Sequence, residues 1–339
     1  MKFSKILVSL STILGGILLL PVAVQAVGIS PTIVDDIMVD PGGTIQFEFR
    51  VLNDSDKEKT FYFSTQNFRA APGEQGKQEF IEEELDYSAD LANWIVVMKD
   101  SAVIPARGES KVNVVVNIPT NAEPGGHYGV IWAGESSPDG GGTVSITGNV
   151  GLLVLVNVSG DVTEGATVEE FNFLDKFQSR LPVEFFSRIK NEGSVYFKPR
   201  GDVVIKGIFG NEVSRIDANP KQSNVLPDSI RRIDEIMWEK TPGMPKASQG
   251  FFKEIKKEWK NFGFGPYKAN LELQYGSEGN ILEAETVYFW VVPWHLLLVA
   301  VLILVLAFVL LKGYNKMIIK VAKKKIDNQE KDEKEENDN

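Results

Sequence analysis

Thr44-Ile45-Gln46-Phe47-Glu48-Phe49-Arg50-Val51 alternates polar and apolar side chains without a break. Successive side chains of a strand point to opposite faces, so this run reads as a strand with one buried face and one wet face. The pattern recurs at Lys111-Val112-Asn113-Val114-Val115-Val116-Asn117-Ile118, at Asp202-Val203-Val204-Ile205-Lys206-Gly207-Ile208 and at Lys268-Ala269-Asn270-Leu271-Glu272-Leu273-Gln274-Tyr275. Gly, Pro, Asn and Asp punctuate the intervals. Short strands at this spacing predict an all-β chain built of immunoglobulin-like β-sandwiches.

The pattern also repeats at long range. One strand ends in Asn53-Asp54-Ser55 and another in Asn191-Glu192-Gly193. A Gly-led strand opens on Tyr128 in the first half and on Tyr267 in the second. Asn53 and Tyr128 stand 75 residues apart, Asn191 and Tyr267 stand 76 apart. A final strand is expected after each, near Thr143 and near Ile281. The spacing predicts two tandem sandwiches, 27–160 and 161–292. Tyr128 and Tyr267 fall where such sandwiches place a structural tyrosine corner, whose phenol bonds backbone upstream. Asn53 and Asn191 read as turn residues.

Both ends look membrane-directed. Tyr288-Phe289-Trp290-Val291-Val292-Pro293-Trp294-His295 precedes unbroken apolar residues from Leu296 to Leu311, and Lys312, Lys316, Lys320 and Lys323-Lys324-Lys325 follow. An apolar run between an aromatic belt and a lysine collar predicts a transmembrane helix over 293–311, with the lysine side cytoplasmic. The charged tail, 312–339, is then inside, and its extreme part from Asp327 reads as disordered. At the other end Lys2 and Lys5, apolar Ile6 to Leu20 and Val24-Gln25-Ala26 read as a secretory signal over 1–26, an uncleaved anchor being the alternative. The two sandwiches are therefore expected outside a cell membrane crossed once. The last strand, about Ile281 to Val292, reaches the span without a flexible linker.

One stretch departs from the β pattern. Ser248 to Asn261 reads as an amphipathic helix, with Phe251, Phe252, Ile255, Trp259 and Phe262 near one face and Lys253, Lys256, Lys257 and Lys260 largely on the other. It either closes the open end of the second sandwich, or rests on the outer leaflet or docks a partner. Phe251, Phe252, Lys253, Lys256, Lys257, Trp259 and Lys260 are the candidate contact residues, and the four lysines are the densest basic patch of the exported part.

Composition limits the chemistry. The 339 residues include no cysteine and two histidines, and carry a net charge of −10. An acidic exported surface repels phosphates, so nucleic acid is a poor partner. Without cysteine there is neither thiol catalysis nor a Cys-based zinc site, and its absence from an exported chain of this size favours a bacterial envelope. His127 has no nucleophile elbow to serve, and His295 lies in the aromatic belt. The acids Glu82-Glu83-Glu84, Asp86 and Asp90 read as solvated surface, with a calcium site there or at Asp139, or a glycosidase pair, as sharper alternatives. No cofactor is expected.

Val103-Ile104-Pro105-Ala106-Arg107-Gly108-Glu109-Ser110, a strand, and then Ile118-Pro119-Thr120-Asn121-Ala122-Glu123-Pro124-Gly125-Gly126-His127-Tyr128-Gly129-Val130-Ile131 resemble the first domain of WxL-interacting proteins. Those are Gram-positive surface proteins with a signal peptide, two immunoglobulin-like domains and a C-terminal membrane helix. The Pro-Gly-Gly-x-Tyr-Gly pattern is also similar to fimbrial-chaperone-like domains. The resemblance implies a non-enzymatic role, binding an exported protein or a cell-wall polymer. The expectation from the residues is the same, with a chaperone-like assembly factor and a membrane-tethered glycan hydrolase as alternatives.

Overall fold

The structure, a computed structural model, describes residues 27–81, 89–135, 149–175, 177–241, 250–282 and 285–337. The expected signal, the acids Glu82, Glu83, Glu84 and Asp86, the loop with Asp139, the strand near Thr143 and Pro242 to Pro245 lie outside these residues. The chain forms two compact units, Met1–Arg69 with Glu79–Asp161, and Ala70–Gln78 with Val162–Asn339.

The first unit is a two-sheet sandwich. Its strands are β1 (Val27–Ser30), β2 (Ile33–Val39), β3 (Thr44–Asn53), β4 (Lys59–Ala70), β5 (Gln78–Ile81), β6 (Ile95–Val97), β7 (Ser101–Ile104), β8 (Glu109–Asn117), β9 (Gly125–Gly134) and β10 (Val150–Val158). One sheet runs β1-β3-β8-β6, the other β2-β10-β9-β4-β5, with β7 also on β4. Lettering β1, β3, β4, β6, β8, β9 and β10 as A to G turns these orders into A-B-E-D and G-F-C, the immunoglobulin-like arrangement. The alternation in β3 does its work here. Phe49 and Val51 pack with Val112, Val114 and Val116 against Phe61, Phe63, Ile131, Leu152, Val154 and Val156. Phe49 meets Phe63 across the sandwich edge to face, 5.8 Å between centroids, the geometry aromatic quadrupoles prefer.

The second unit repeats the plan with β11 (Ala166–Phe173), β12 (Val183–Asn191), β13 (Arg200–Lys206), β14 (Glu212–Asp217), β15 (Ile230–Trp238), β16 (Gly265–Tyr275), β17 (Asn280–Ile281) and β18 (Thr286–Val291). Sheet β11-β12-β15 faces sheet β14-β13-β16, on which β17 and β18 both pair. The core joins Phe171, Phe185, Ile189 and Ile233 to Val203, Ile205, Leu271, Leu273 and Phe289. Shortening Ile205 to valine should cost about 1 kcal/mol by removing one fully buried methylene, read as a lower denaturant midpoint with unchanged slope.

The two sandwiches share an atomic detail. At the end of β3, Asn53 is buried, its Nδ2 donates to the carbonyls of Lys57 (2.8 Å) and Ile104 (3.0 Å), and its Oδ1 accepts the Ser55 amide (3.1 Å). At the end of β12, Asn191 is buried, its Nδ2 donates to Val195 (2.8 Å) and Val225 (2.9 Å), and its Oδ1 accepts the Gly193 amide (2.8 Å). Each amide closes its own turn and also reaches a carbonyl far along the chain. These are core pins as well as turn residues.

Four sequence expectations need correction. Ile208 is not in a strand, since β13 ends at Lys206 and the chain turns. The last strand of the second unit is broken into β17 and β18. The helix from Trp294 runs on to Asn337, so Asp327 to Asn337 is helical, where disorder was expected. Glu, Lys and Gln are good helix formers, and a helix already nucleated upstream extends through such residues at little cost.

The fourth correction concerns the tyrosine corners. In β9, Val156 pairs with His127 and Leu155 with Tyr128. Val156 faces the core, so His127 does too, and Tyr128 lies on the outer face. There Tyr128 joins Phe68, Phe80 and Trp132 in an aromatic cluster. The core-facing corner position belongs to His127, whose Nδ1 and Nε2 lie 3.0 and 2.9 Å from the Asp90 and Glu123 carbonyl oxygens. Tyr267 does face the core, against Trp238 and Phe289, and its hydroxyl is 3.4 Å from the Phe264 carbonyl upstream.

Candidate functional site

The end of the second unit where the chain leaves its last strand gathers the residues singled out from sequence. Two helices meet there, α1 (Phe251–Lys260) and α2 (Trp294–Asn337). Trp294–Lys325 is long and apolar enough to cross a membrane. Only Val292 and Pro293 separate β18 from α2. Proline suits this place because its fixed φ fits a helix entry and its missing N–H would have had no intrahelical partner.

Glu258 of α1 welds the junction. It is fully buried, at 0% exposure. Its Oε1 is 2.6 Å from Nδ1 of His295, and its Oε2 accepts the Leu296 amide at 2.9 Å. The first amides of a helix have no partners within it and carry its positive dipole end, so a carboxylate there is a strong cap. Here the cap comes from a different helix, 37 residues away. His295 is further held between the rings of Trp294 (3.6 Å) and Phe251 (5.5 Å).

Helix α1 is fixed to the sandwich by polar groups along its whole inner face. Glu254 pairs with Arg180 at 3.3 Å, with both side chains largely shielded. The Asn261 carbonyl, just past the helix, accepts the Leu181 amide at 3.2 Å, and the Lys240 ammonium donates to the Phe262 carbonyl at 2.6 Å. Glu254, Ile255, Glu258 and Asn261 thus form the face turned to the protein. The outward face carries Phe252 at 83% and Trp259 at 75% exposure, with Lys253, Lys256 and Lys260 exposed beside them. Phe251 is at the margin, touching His295, and Lys257 is half-buried.

This differs from a helix that closes a sandwich with its aromatic side. The periodicity of Phe251, Phe252, Ile255, Trp259 and Phe262 was visible in the sequence, but which face turns inward was not. The inner partners, Arg180 and the start of α2, lie far away in sequence. Glu258 was missed as a functional residue. The available signal was an acid two residues before the end of a lysine-rich helix, with an uncapped helix start downstream.

Elsewhere, Asp90 is committed to structure. Its carboxylate accepts from the side-chain amides of Asn67 (2.8 Å) and Asn93 (2.7 Å). Among the described residues, no group of three or more His, Asp or Glu side chains is placed to hold a metal ion.

No family model and no curated protein matches this chain. Solved structures do. The class 5 fimbriae chaperone CfaA is 13% identical, with a TM-score of 0.33, over 79% of this chain and 99% of that one. The E. coli chaperone DraB is 10% identical, TM-score 0.31, over 78% and 98%. A PapD-like domain of human CEP192 is 11% identical, TM-score 0.26, over 40% and 86%.

Proposed function

We propose that this chain is a membrane-anchored, non-catalytic surface protein of a bacterial envelope that holds two immunoglobulin-like sandwiches outside the cell to bind an exported protein or a cell-wall polymer. The observation that carries the reading is the weld between the second sandwich and α2. A carboxylate clamp with no flexible stalk suits a module held at fixed height above a membrane rather than a tethered enzyme that must sample substrate. The aromatic residues before α2 and the lysines within it set the orientation, with the C-terminus cytoplasmic. The resemblance to WxL-interacting proteins supports the same reading.

One observation favours a second reading, capture of an extended segment from another exported chain. Strand β6 is a three-residue sheet edge, with exposed Val96 on it and exposed Met98 next to it. An apolar edge offers unpaired backbone groups for strand addition, the device a chaperone-like assembly factor would use. The hydrolase alternative rests on acids that lie outside the described residues, apart from Asp90.

The test is a pull-down with the full chain in lipid nanodiscs against purified wall material and, separately, against envelope proteins. Retention of wall material, or of one defined folded protein, supports the first reading. Retention of unfolded exported chains, lost when Val96→Lys blocks the edge, supports the second. Glycan cleavage that disappears when one carboxylate becomes its amide overturns both.

A further inference from the structure

The β13–β14 hairpin ends in Gly207-Ile208-Phe209-Gly210, a turn no part of the functional reading uses. The Gly207 amide donates to the Asn211 carbonyl and the Gly210 amide to the Gly207 carbonyl, both at 2.9 Å. Gly210 supplies the positive φ, 76°, that closes so tight a turn. The result is a fixed tip that presents Ile208 at 68% and Phe209 at 92% exposure. Single exposed apolar residues are ordinary, and adjacent ones on a rigid tip are less so.

The sheet register places this tip. Lys206 pairs with Lys268, and Lys268 pairs with Tyr288. From that row β16 continues back to Gly265 and β18 forward to Val291, which pair with each other. Strand residues advance about 3.3 Å each, so a tip two and three residues beyond Lys206 ends level, within about one residue, with the strand ends that lead to α1 and into α2. Phe264 and Trp290 are exposed at that same end, as are Phe252 and Trp259 on α1.

We infer that this end of the second sandwich is seated in the headgroup region of a lipid bilayer, with the Ile208-Phe209 tip and the Phe252/Trp259 face of α1 as two separate points of insertion. The inference rests on α2 being a membrane anchor. The polarity of α1 identifies lipid as the occupant. Its carboxylates, Glu254 and Glu258, are turned inward and paired, while aromatic rings and lysines face out. The outward rings and inward carboxylates are the reverse of a helix in water. It suits an interface where rings sit at headgroup depth and lysines reach lipid phosphates. The apolar span starting at Trp294 brings the bilayer to this end.

The chain has no cysteine, so single cysteines at Phe209, Phe252 or Trp259 can carry a bimane label in the full chain in nanodiscs containing anionic lipid. Ile281→Cys, exposed and paired with Gln274 at the far end of the same sheet, is the water reference, and Val305→Cys in α2 the lipid reference. The expected result is blue-shifted emission at 209, 252, 259 and 305, quenched by spin-labelled lipid, with 281 unshifted. Water-like emission at 209 with lipid-like emission at 305 overturns the seating and leaves the anchor standing. Water-like emission at 305 removes the anchor and the seating together. A blue shift at 209 without lipid quenching means a protein covers the tip, and also overturns the inference.

Discussion

Glu258→Ala is expected to detach α1 from the start of α2 and to destabilise the second unit by about 3 kcal/mol. The substitution leaves the His295 ring and the Leu296 amide without their carboxylate partner in a largely buried site. Breaking one side of such a buried pair costs more than losing an exposed bridge, because the remaining polar groups stay desolvated. Glu258→Gln keeps one acceptor oxygen and should recover part of the loss. Hydrogen exchange of the full chain in nanodiscs reads the effect directly, as faster exchange across 251–265 and at Leu296 with the first unit unchanged. Exchange that stays at wild-type rates would show that packing alone, not the carboxylate, holds the junction.

Asn53→Ala and Asn191→Ala are expected to cost about 3 kcal/mol each, every one in its own unit. Each side-chain amide is buried, donates to at least two backbone carbonyls and accepts a backbone amide. A buried group left unsatisfied costs roughly 1–3 kcal/mol, and each substitution strands several. The aspartate variants discriminate between roles. At a simple turn Asp replaces Asn readily. Here it would set a carboxylate against two carbonyl oxygens, so Asn53→Asp and Asn191→Asp should destabilise at least as much as alanine. Limited proteolysis resolves which unit opens. A well-tolerated Asp at either position would reduce that asparagine to a turn former.

The sandwich was legible because strand alternation is local, and β3, β8, β13 and β16 were all found from it within three residues at either end. The repeat was legible because the same turn chemistry recurs after Asn53 and Asn191. The candidate contact residues on α1 were legible as a set, from their helical spacing. Beyond the misplaced element ends, what the sequence left undecided was side and partner. His127 and Tyr128 are neighbours, and a one-residue difference in register exchanges core for outer face. On α1 the spacing showed two faces but not which turns inward, and Arg180 and the start of α2 meet the acidic side.

The residues by themselves determined an all-β chain of two immunoglobulin-like units with one apolar helix at its end, because periodicity, turn residues and the length of an apolar run depend only on near neighbours. The tertiary structure alone decided that Glu258 caps α2, that His127 holds the first corner, and that the Ile208-Phe209 tip lies level with the strand ends that lead to α1 and into α2. Those depend on which distant carbonyl, amide or strand end a side chain meets, and that is set only when the sheets close and their register is fixed.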